Sequence, residues 1–495
     1  MNYISTRNKS VRCTSAQAIV NGLAQDGGLF VPEVFPQLTQ RDWDALLEMD
    51  YPERAAYVLA MYLEDFSYEE LLGYTRQAYG RFDSEDPCPL VNVDENIYVL
   101  ELWHGPTCAF KDMALTMLPH LLSAARAKTG EKERTMILVA TSGDTGKAAL
   151  EGFCDVEGTD IIVFYPTGGV SDMQKLQMMT QKGANVYVCA IRGNFDDAQS
   201  AVKRIFADSD IASKLQNAGY KLSSANSINW GRLAPQIAYY VSSYCDLINA
   251  GKIRIGDKVN FCVPSGNFGN ILAAYYAGKM GVGLNRLICA SNVNHVLTDF
   301  FETGVYDTNR EFFKTMSPSM DILISSNLER LLFEICGRDD RLIAARMNEL
   351  KTKGSYRIDP SESEALRELF AVGYAEEADT QGTIEGYFDE YDYLIDTHTA
   401  VACSVYDQYA DETGDYDTPT VIVSTASAYK FPCDVYRALS GKEIVDAFEA
   451  TRELETLTDT QAPDPLRGLD QREVRFADVI DKEQIDETIL RYVAK

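Results

Sequence analysis

The sequence predicts an α/β protein built on two open, mostly parallel sheets, with an N-terminal cap and a helical insertion. Three observations predict it. From about residue 95, short apolar runs alternate with longer runs of helical apolar spacing, the βα rhythm of a parallel sheet. The short runs are near-continuous rather than alternating, as happens when helices cover both sheet faces. Turns rich in glycine and hydroxyl residues follow the runs near 135–140, 259–263 and 419–424, at the strand ends where open α/β sheets bind ligands.

The elements follow in order. Residues 1–94 mix strand and helix signals and read as a cap. The first α/β unit, 95–228, begins with the extended run Asn96–Leu102 and the helical run Phe110–Lys128. Its strands are Thr135–Ala140, Asp160–Tyr165 and Val186–Ile191, and its helices KAALEGF, Met173–Gln181 and Asp196–Leu215. The second unit, 229–495, opens with a helix over Asn229–Ala250, followed by strand Val259–Val263, helix Asn270–Met280 and strand Arg286–Ala290. Between about 300 and 395 the rhythm breaks into amphipathic runs, Asp321–Cys336, Arg341–Lys351 and Glu362–Ala378, read as a helical insertion. A helix after His398 and the strand Pro419–Ser424 restore the pattern. The acidic stretch Asp411–Asp417 reads as a solvated loop.

Composition narrows the function. With 46 basic and 74 acidic residues among 495, the net charge is −28, which argues against general binding to nucleic acid or anionic membranes. An anionic ligand therefore needs a local pocket that opposes the global field. The 11 cysteines are scattered without a C-x-x-C pair and read as reduced thiols in a cytoplasmic protein. Only four histidines are present, so no metal centre is expected. The N-terminus lacks the apolar core of a secretory signal, and no run of about 18 apolar residues predicts a membrane span.

Four segments carry chemistry. In Glu101-Leu-Trp-His-Gly-Pro-Thr-Cys-Ala-Phe-Lys111-Asp112, a lysine follows a turn-rich stretch at the start of a helix-like run. A helix N-terminus disfavours a charged amine, and a neutral lysine attacks carbonyls to form a Schiff base. In Thr141-Ser142-Gly143-Asp144-Thr145-Gly146-Lys147, small residues between strand and helix allow an anion cradle. It is no nucleotide P-loop, because Thr141 replaces the first glycine and Ala148 the magnesium-binding hydroxyl. Ser265-Gly266-Asn267-Phe268-Gly269-Asn270, again between strand and helix, can turn several amides toward one phosphate. Ser424-Thr425-Ala426 ends the last strand and offers a hydroxyl to a heteroaromatic nitrogen. Each is compatible with an ordinary structural turn. Together they suit a ligand with a phosphate, a ring nitrogen and an aldehyde, which is pyridoxal 5′-phosphate.

With these blocks the chain resembles the threonine synthases of the long bacterial and fungal branch, pyridoxal-phosphate enzymes of fold type II (tryptophan-synthase-β-like). The resemblance rests on Tyr3–Arg7 with Gly22–Pro32, HGPTCAFKD, ATSGDTGKAA, Val170–Lys175, Asn226–Trp230, SGNFGN, Ser317–Asp321 and Thr397–Val401, in the family's order. The chain departs at Thr425-Ala-Ser-Ala-Tyr-Lys430-Phe431, where the family usually reads Thr-Ala-His-Pro-Ala-Lys-Phe, and at Cys108, where an aliphatic residue is common.

The resemblance implies that Lys111 holds the cofactor and carries protons, that Gly266, Asn267, Phe268, Gly269 and Asn270 hold its phosphate, and that Thr425 faces the ring nitrogen. It also implies that Ser142, Gly143, Asp144 and Thr145 bind the substrate carboxylate, with Asp144 near the cofactor oxygen. Lys147, Lys175, Arg232 and Lys430 are the candidate cations for a leaving phosphate. His104 is expected to be a turn residue and His398 a supporting one. The implied reaction converts O-phospho-L-homoserine and water to L-threonine and phosphate, in a monomer or homodimer. Another lyase or dehydratase of the same fold, or a non-catalytic relative, is the alternative.

Overall fold

The computed structural model describes residues 1–494 apart from 142, 169 and 194, with backbone only at 195, 196, 200, 203 and 207. The cap forms where local signals are strong. Helices Ser15–Asn21, Gln40–Leu47, Tyr51–Tyr62 and Tyr68–Tyr79 each start with a reciprocal capping box, led by Thr14, Thr39, Asp50 and Ser67. Each box satisfies two helix-end groups that burial would leave unpaired. A small antiparallel sheet, ordered Asn8–Cys13, Tyr3–Ser5, Phe30–Pro32, packs beside them. The buried Trp230 ring joins cap to body, lying 5.1 Å from Tyr3, 5.7 Å from Tyr62 and 5.9 Å from Tyr276 between ring centres.

Two larger sheets follow. One is wholly parallel, ordered Val479–Asp481, Val186–Arg192, Thr159–Pro166, Arg134–Ala140, Tyr220–Ser223. The other has six strands, ordered Phe370–Tyr374, Leu284–Ser291, Val259–Pro264, Thr420–Ser424, Ile97–Glu101, Leu90–Asp94, with only the last pair antiparallel. Central strands such as Thr159–Pro166 and Val259–Pro264 are buried throughout, which explains their unbroken apolar character.

The structure redraws the expected boundaries. The strand Ile97–Glu101, read as opening the first α/β unit, pairs with Thr420–Ser424 in the second unit's sheet. In return, Val479–Asp481 near the C-terminus pairs with Val186–Arg192 in the first. Strand rhythm along a chain says nothing about which sheet a strand joins. The insertion is not purely helical, because Phe370–Tyr374 ends its third amphipathic run as a strand parallel to Leu284–Ser291. The long helix expected from 196 breaks at Asp208, which caps a separate helix, Ser209–Asn217. The helix expected over 110–128 divides into Asp112–Leu115 and Leu118–Thr129.

This topology assembles the site. Val259–Pro264, Thr420–Ser424 and Ile97–Glu101 are adjacent and parallel, so the three loops that leave their carboxyl ends share one rim. The fourth loop leaves Arg134–Ala140 in the other sheet. Among the described residues no helix is long and apolar enough to cross a membrane.

Candidate functional site

The lysine loop is held by its own side chains. Gly105 has no room for a Cβ, which would lie 2.4 Å from the Asp112 side chain. Asp112 accepts from the Thr107 N–H at 2.8 Å and from its hydroxyl at 2.6 Å. Burial pushes the Asp112 carboxyl up to about 6 against those two hydrogen bonds. Cys108 takes a left-handed backbone, φ 58°, uncommon without glycine. The turn it makes aligns the loop with the segment after the last strand: Ser427 N–H donates to Cys108 O at 3.1 Å, Ala109 bridges Ala426, and Phe110 N–H donates to Thr425 O at 2.8 Å.

Lys111 emerges from this pairing almost fully buried. Its Nζ donates to Asp144 Oδ2 and Ser319 Oγ, each at 3.3 Å, and lies 4.6 Å from the Phe110 ring centre. Burial drives its pKa down; Asp144 opposes that, while Lys430 and Arg232 add to it. The helix that follows is the single turn Asp112–Leu115, too short for the helix dipole that the sequence invokes to count for much.

Asp144 is the hub. It begins the helix Asp144–Gly152 and is buried. Lys430 Nζ lies 2.8 Å from its Oδ1, which also accepts from Gln174 Nε2 at 2.8 Å, and Ser319 Oγ donates to Oδ2 at 3.3 Å. Burial raises its pKa, but Lys430 and Lys111 outweigh burial and hold the carboxyl far below the carboxylate range. Gln174 fills the space beside Gly143, whose φ is 143° and where a Cβ would lie 2.4 Å from the glutamine. The Thr141 hydroxyl takes the Gly143 and Gly146 amides, both at 2.9 Å. The amides of Asp144 and of half-buried Thr145 donate to no described group. Ser142 lies outside the described residues.

The Gly266–Asn270 loop shows a different imbalance. Its carbonyls are taken: Ser325 Oγ donates to Gly266 O at 2.8 Å, and Asn327 Nδ2 to Asn267 O at 2.9 Å. Its five amides donate to no described group. Phe268 adopts φ 61° with its ring buried near Phe301 and Phe370. Asn270 Oδ1 accepts from Tyr240 at 2.6 Å and Tyr239 at 2.5 Å, while its buried Nδ2 has no partner among the described residues. A buried unpaired amide is costly. Here it lies at a helix start beside free N–H groups, an arrangement that matches an anion.

The candidate cations separate. Lys430 is wholly buried on Asp144 and on Thr107 O, the latter at 2.8 Å. Lys147 is buried on Glu151 Oε2 at 3.1 Å and on the Gln181 amide oxygen. Arg232 is buried too, but its Nη1 donates to Ala225 O at 2.7 Å and it pairs with no described carboxylate; burial lowers its pKa to about 10. Lys175 is half-buried on the helix Asp172–Met179. Thr425 is buried, and its hydroxyl bonds to no described group.

Three residues escaped the sequence reading as chemical groups: Ser319, Gln174 and Asp396. Ser319 touches both Lys111 and Asp144, and its N–H donates to His398 Nε2 at 3.1 Å. His398 Nδ1 is 2.9 Å from Asp396 Oδ1, so Nδ1 carries the proton and Nε2 accepts. Nothing local marks Ser319, which lies 175 positions from Asp144. His104 sits between Asp83 and Glu101, 2.8 Å from each, and stacks on Trp103. Among the described residues no cluster could hold a metal ion.

Comparison with known proteins completes the description. Residues 2–79 match the family model "Threonine synthase N terminus", 84–379 "Pyridoxal-phosphate dependent enzyme" and 399–489 "Threonine synthase, C-terminal". Human threonine synthase-like 1 is 42% identical over 440 residues, covering 87% of this chain; the chain spans 58% of that relative's length. Threonine synthase of Saccharomyces cerevisiae is 37% identical over 469 residues, 89% of either chain. The crystal structure of PLP-bound threonine synthase from Brucella melitensis superposes with a TM-score of 0.87 at 38% identity, covering 100% of this chain and 98% of that one.

Proposed function

From membership of the chain in the threonine synthase family of pyridoxal-phosphate-dependent enzymes, we propose that it converts O-phospho-L-homoserine and water to L-threonine and inorganic phosphate. The observation that carries the reading is a buried lysine on the same rim as a loop of unpaired amides. The residues fit the cofactor. The Gly266–Asn270 amides and Asn270 Nδ2, which donate to no described group, would hold its phosphate, Lys111 would supply the amine for the aldehyde, and Thr425 would offer a hydroxyl to the ring nitrogen. Pyridoxal phosphate, when bound, supplies the electron sink that makes the substrate's Cα proton acidic.

The chain's own residues do the rest. Lys111 Nζ would take and return protons along Cα, Cβ and Cγ. Breaking the Cγ–O bond releases phosphate with the bonding pair, the proton lost from Cβ is replaced at Cγ to make the methyl group, and water gives its hydroxyl to Cβ and its other proton to the phosphate. Ionised Asp144 and the Ser319 hydroxyl orient Lys111 Nζ. The Asp144 and Thr145 amides are available to the substrate carboxylate. Of the candidate cations, Arg232 is the buried one that pairs with no described carboxylate, and it is the ligand proposed for the leaving phosphate. Lys147 and Lys430 each have a carboxylate partner.

The test is product release from O-phosphohomoserine with added cofactor. Threonine and phosphate in equal amounts support the reading. 2-Ketobutyrate and phosphate would mean a dehydrating relative, and cofactor uptake without turnover a binding protein. The likeness to threonine synthase-like 1 is the observation that keeps these two arms in the assay.

A further inference from the structure

Asp144 is gripped by two lysines. Lys430 Nζ approaches one oxygen at 2.8 Å and has a second acceptor, Thr107 O, at 2.8 Å. Lys111 Nζ approaches the other oxygen at 3.3 Å and shares it with the Ser319 hydroxyl. One carboxylate in direct contact cannot balance two buried ammonium ions, and a third buried cation, Arg232, is felt at Lys111 while pairing with no described carboxylate. One of the two lysines must yield its proton cheaply. Geometry selects which. Lys430 is fully buried with two short acceptors, one a backbone carbonyl that stays an acceptor at any pH. Lys111 has longer contacts and one partner that is itself a hydroxyl donor.

We propose that Lys430 is a positioning residue that keeps Lys111 a neutral amine, by holding its own proton on Asp144 and Thr107. Asp144 and Arg232 face Lys111, His398 is felt at Asp144 and receives the Ser319 N–H, and Asp112, Lys147 and the Cys108 thiol are felt at or near Lys430. Burial and the two cations lower the Lys111 pKa, in the same direction. The Lys430 charge also joins three loops, those of Thr107, Asp144 and residues 425–430, so it sets the protonation of the amine and the shape of the site together.

This inference rests on Lys111 being the cofactor-bearing amine, but its test needs no cofactor. The full-length protein, stripped of pyridoxal phosphate, is labelled with a trace amine-reactive anhydride from about pH 6 to 11, and the modification of Lys111 is followed by peptide mass spectrometry. Wild-type Lys111 should label with a midpoint well below that of an ordinary lysine, about 10.4. Lys430→Met should raise the midpoint by about one pH unit or more, roughly a tenfold loss of reactive amine at neutral pH. Lys430→Arg, which keeps the charge, should restore most of it. A Lys430→Met midpoint that stays or falls overturns the proposal, as do equal losses in both variants with no shift in midpoint. If Lys430→Met does not fold, Lys430→Gln, which keeps a donor for Thr107 O without the charge, tests the same pairing: the Lys111 midpoint should rise, and one that stays or falls overturns the proposal. A shifted midpoint in a protein that takes up no pyridoxal phosphate would sustain this inference and refute the functional one.

Discussion

The N–H of Phe110 donates to the carbonyl of Thr425 at 2.8 Å, so the residue before the site lysine and the residue after the last strand of the sheet are one hydrogen bond apart. Their backbones pair while the Thr425 hydroxyl stays uncommitted. Thr425→Val should therefore leave the melting temperature of the cofactor-free protein nearly unchanged. It should weaken pyridoxal phosphate binding about tenfold, the worth of one hydrogen bond. Titration of the cofactor absorbance checks it, and unchanged affinity would remove Thr425 from the ring nitrogen.

Asn270 has a structural half and an unused half. Its oxygen serves the buried hydroxyls of Tyr239 and Tyr240, and its amide nitrogen serves no described group. Asn270→Ala should cost about 1–3 kcal/mol of stability in urea unfolding, because the Tyr240 hydroxyl loses its acceptor while Tyr239 keeps Gln236 Oε1 at 3.2 Å. Wild-type protein should gain about 2.7 kcal/mol at a cofactor concentration a hundred times Kd. The variant should gain much less at that same concentration.

His104 titrates as a structural group. Burial favours its neutral form, but Asp83 and Glu101 prevail and raise its pKa to about 9, against about 6.5 unfolded. A raised folded pKa means that its contribution is complete below about pH 6.5 and is lost as pH rises through 9. The stability difference between wild type and His104→Gln, about 1–2 kcal/mol at pH 6 given partial solvent screening, should vanish above pH 9 in urea melts followed across that range.

Arg330 is a fully buried arginine that donates to Phe30 O at 3.0 Å, Ile228 O at 2.7 Å and the Asn327 side-chain oxygen. Asn327 in turn holds Asn267 O and Ser227 Oγ, both at 2.9 Å. Arg330→Lys keeps the charge but not the planar fork, so it should still lose about 2–3 kcal/mol in denaturant unfolding. It should also weaken cofactor binding by loosening the Gly266–Asn270 loop. A lysine variant of wild-type stability and affinity would show that charge alone suffices there.

Sequence carried the fold where one face argument decides everything. The strands found at Arg134–Ala140, Thr159–Pro166, Val186–Arg192 and Val259–Pro264 were legible because strands buried on both faces are unbroken apolar runs. Phe370–Tyr374 was not, since its FAVGY follows an amphipathic run directly and continues its apolar pattern. Motif positions pointed to Lys111, Asp144 and the 266–270 loop, but a motif does not reveal which charges pair. Lys430 and Lys147 carry the same charge as Arg232 in a sequence. Only the fold shows that Asp144 and Glu151 have claimed the two lysines, while the arginine pairs with no described carboxylate.

The strand Thr420–Ser424 lies between Val259–Pro264 and Ile97–Glu101, so the middle of the six-stranded sheet is filled by one of the last strands to leave the ribosome. Until then two unpaired strand edges face each other across a gap, the condition under which nascent chains associate wrongly. Pairing between such distant segments is also slow. A copy stalled or clipped before residue 419 would lack the strand that joins Val259–Pro264 to Ile97–Glu101 and would leave both edges unpaired.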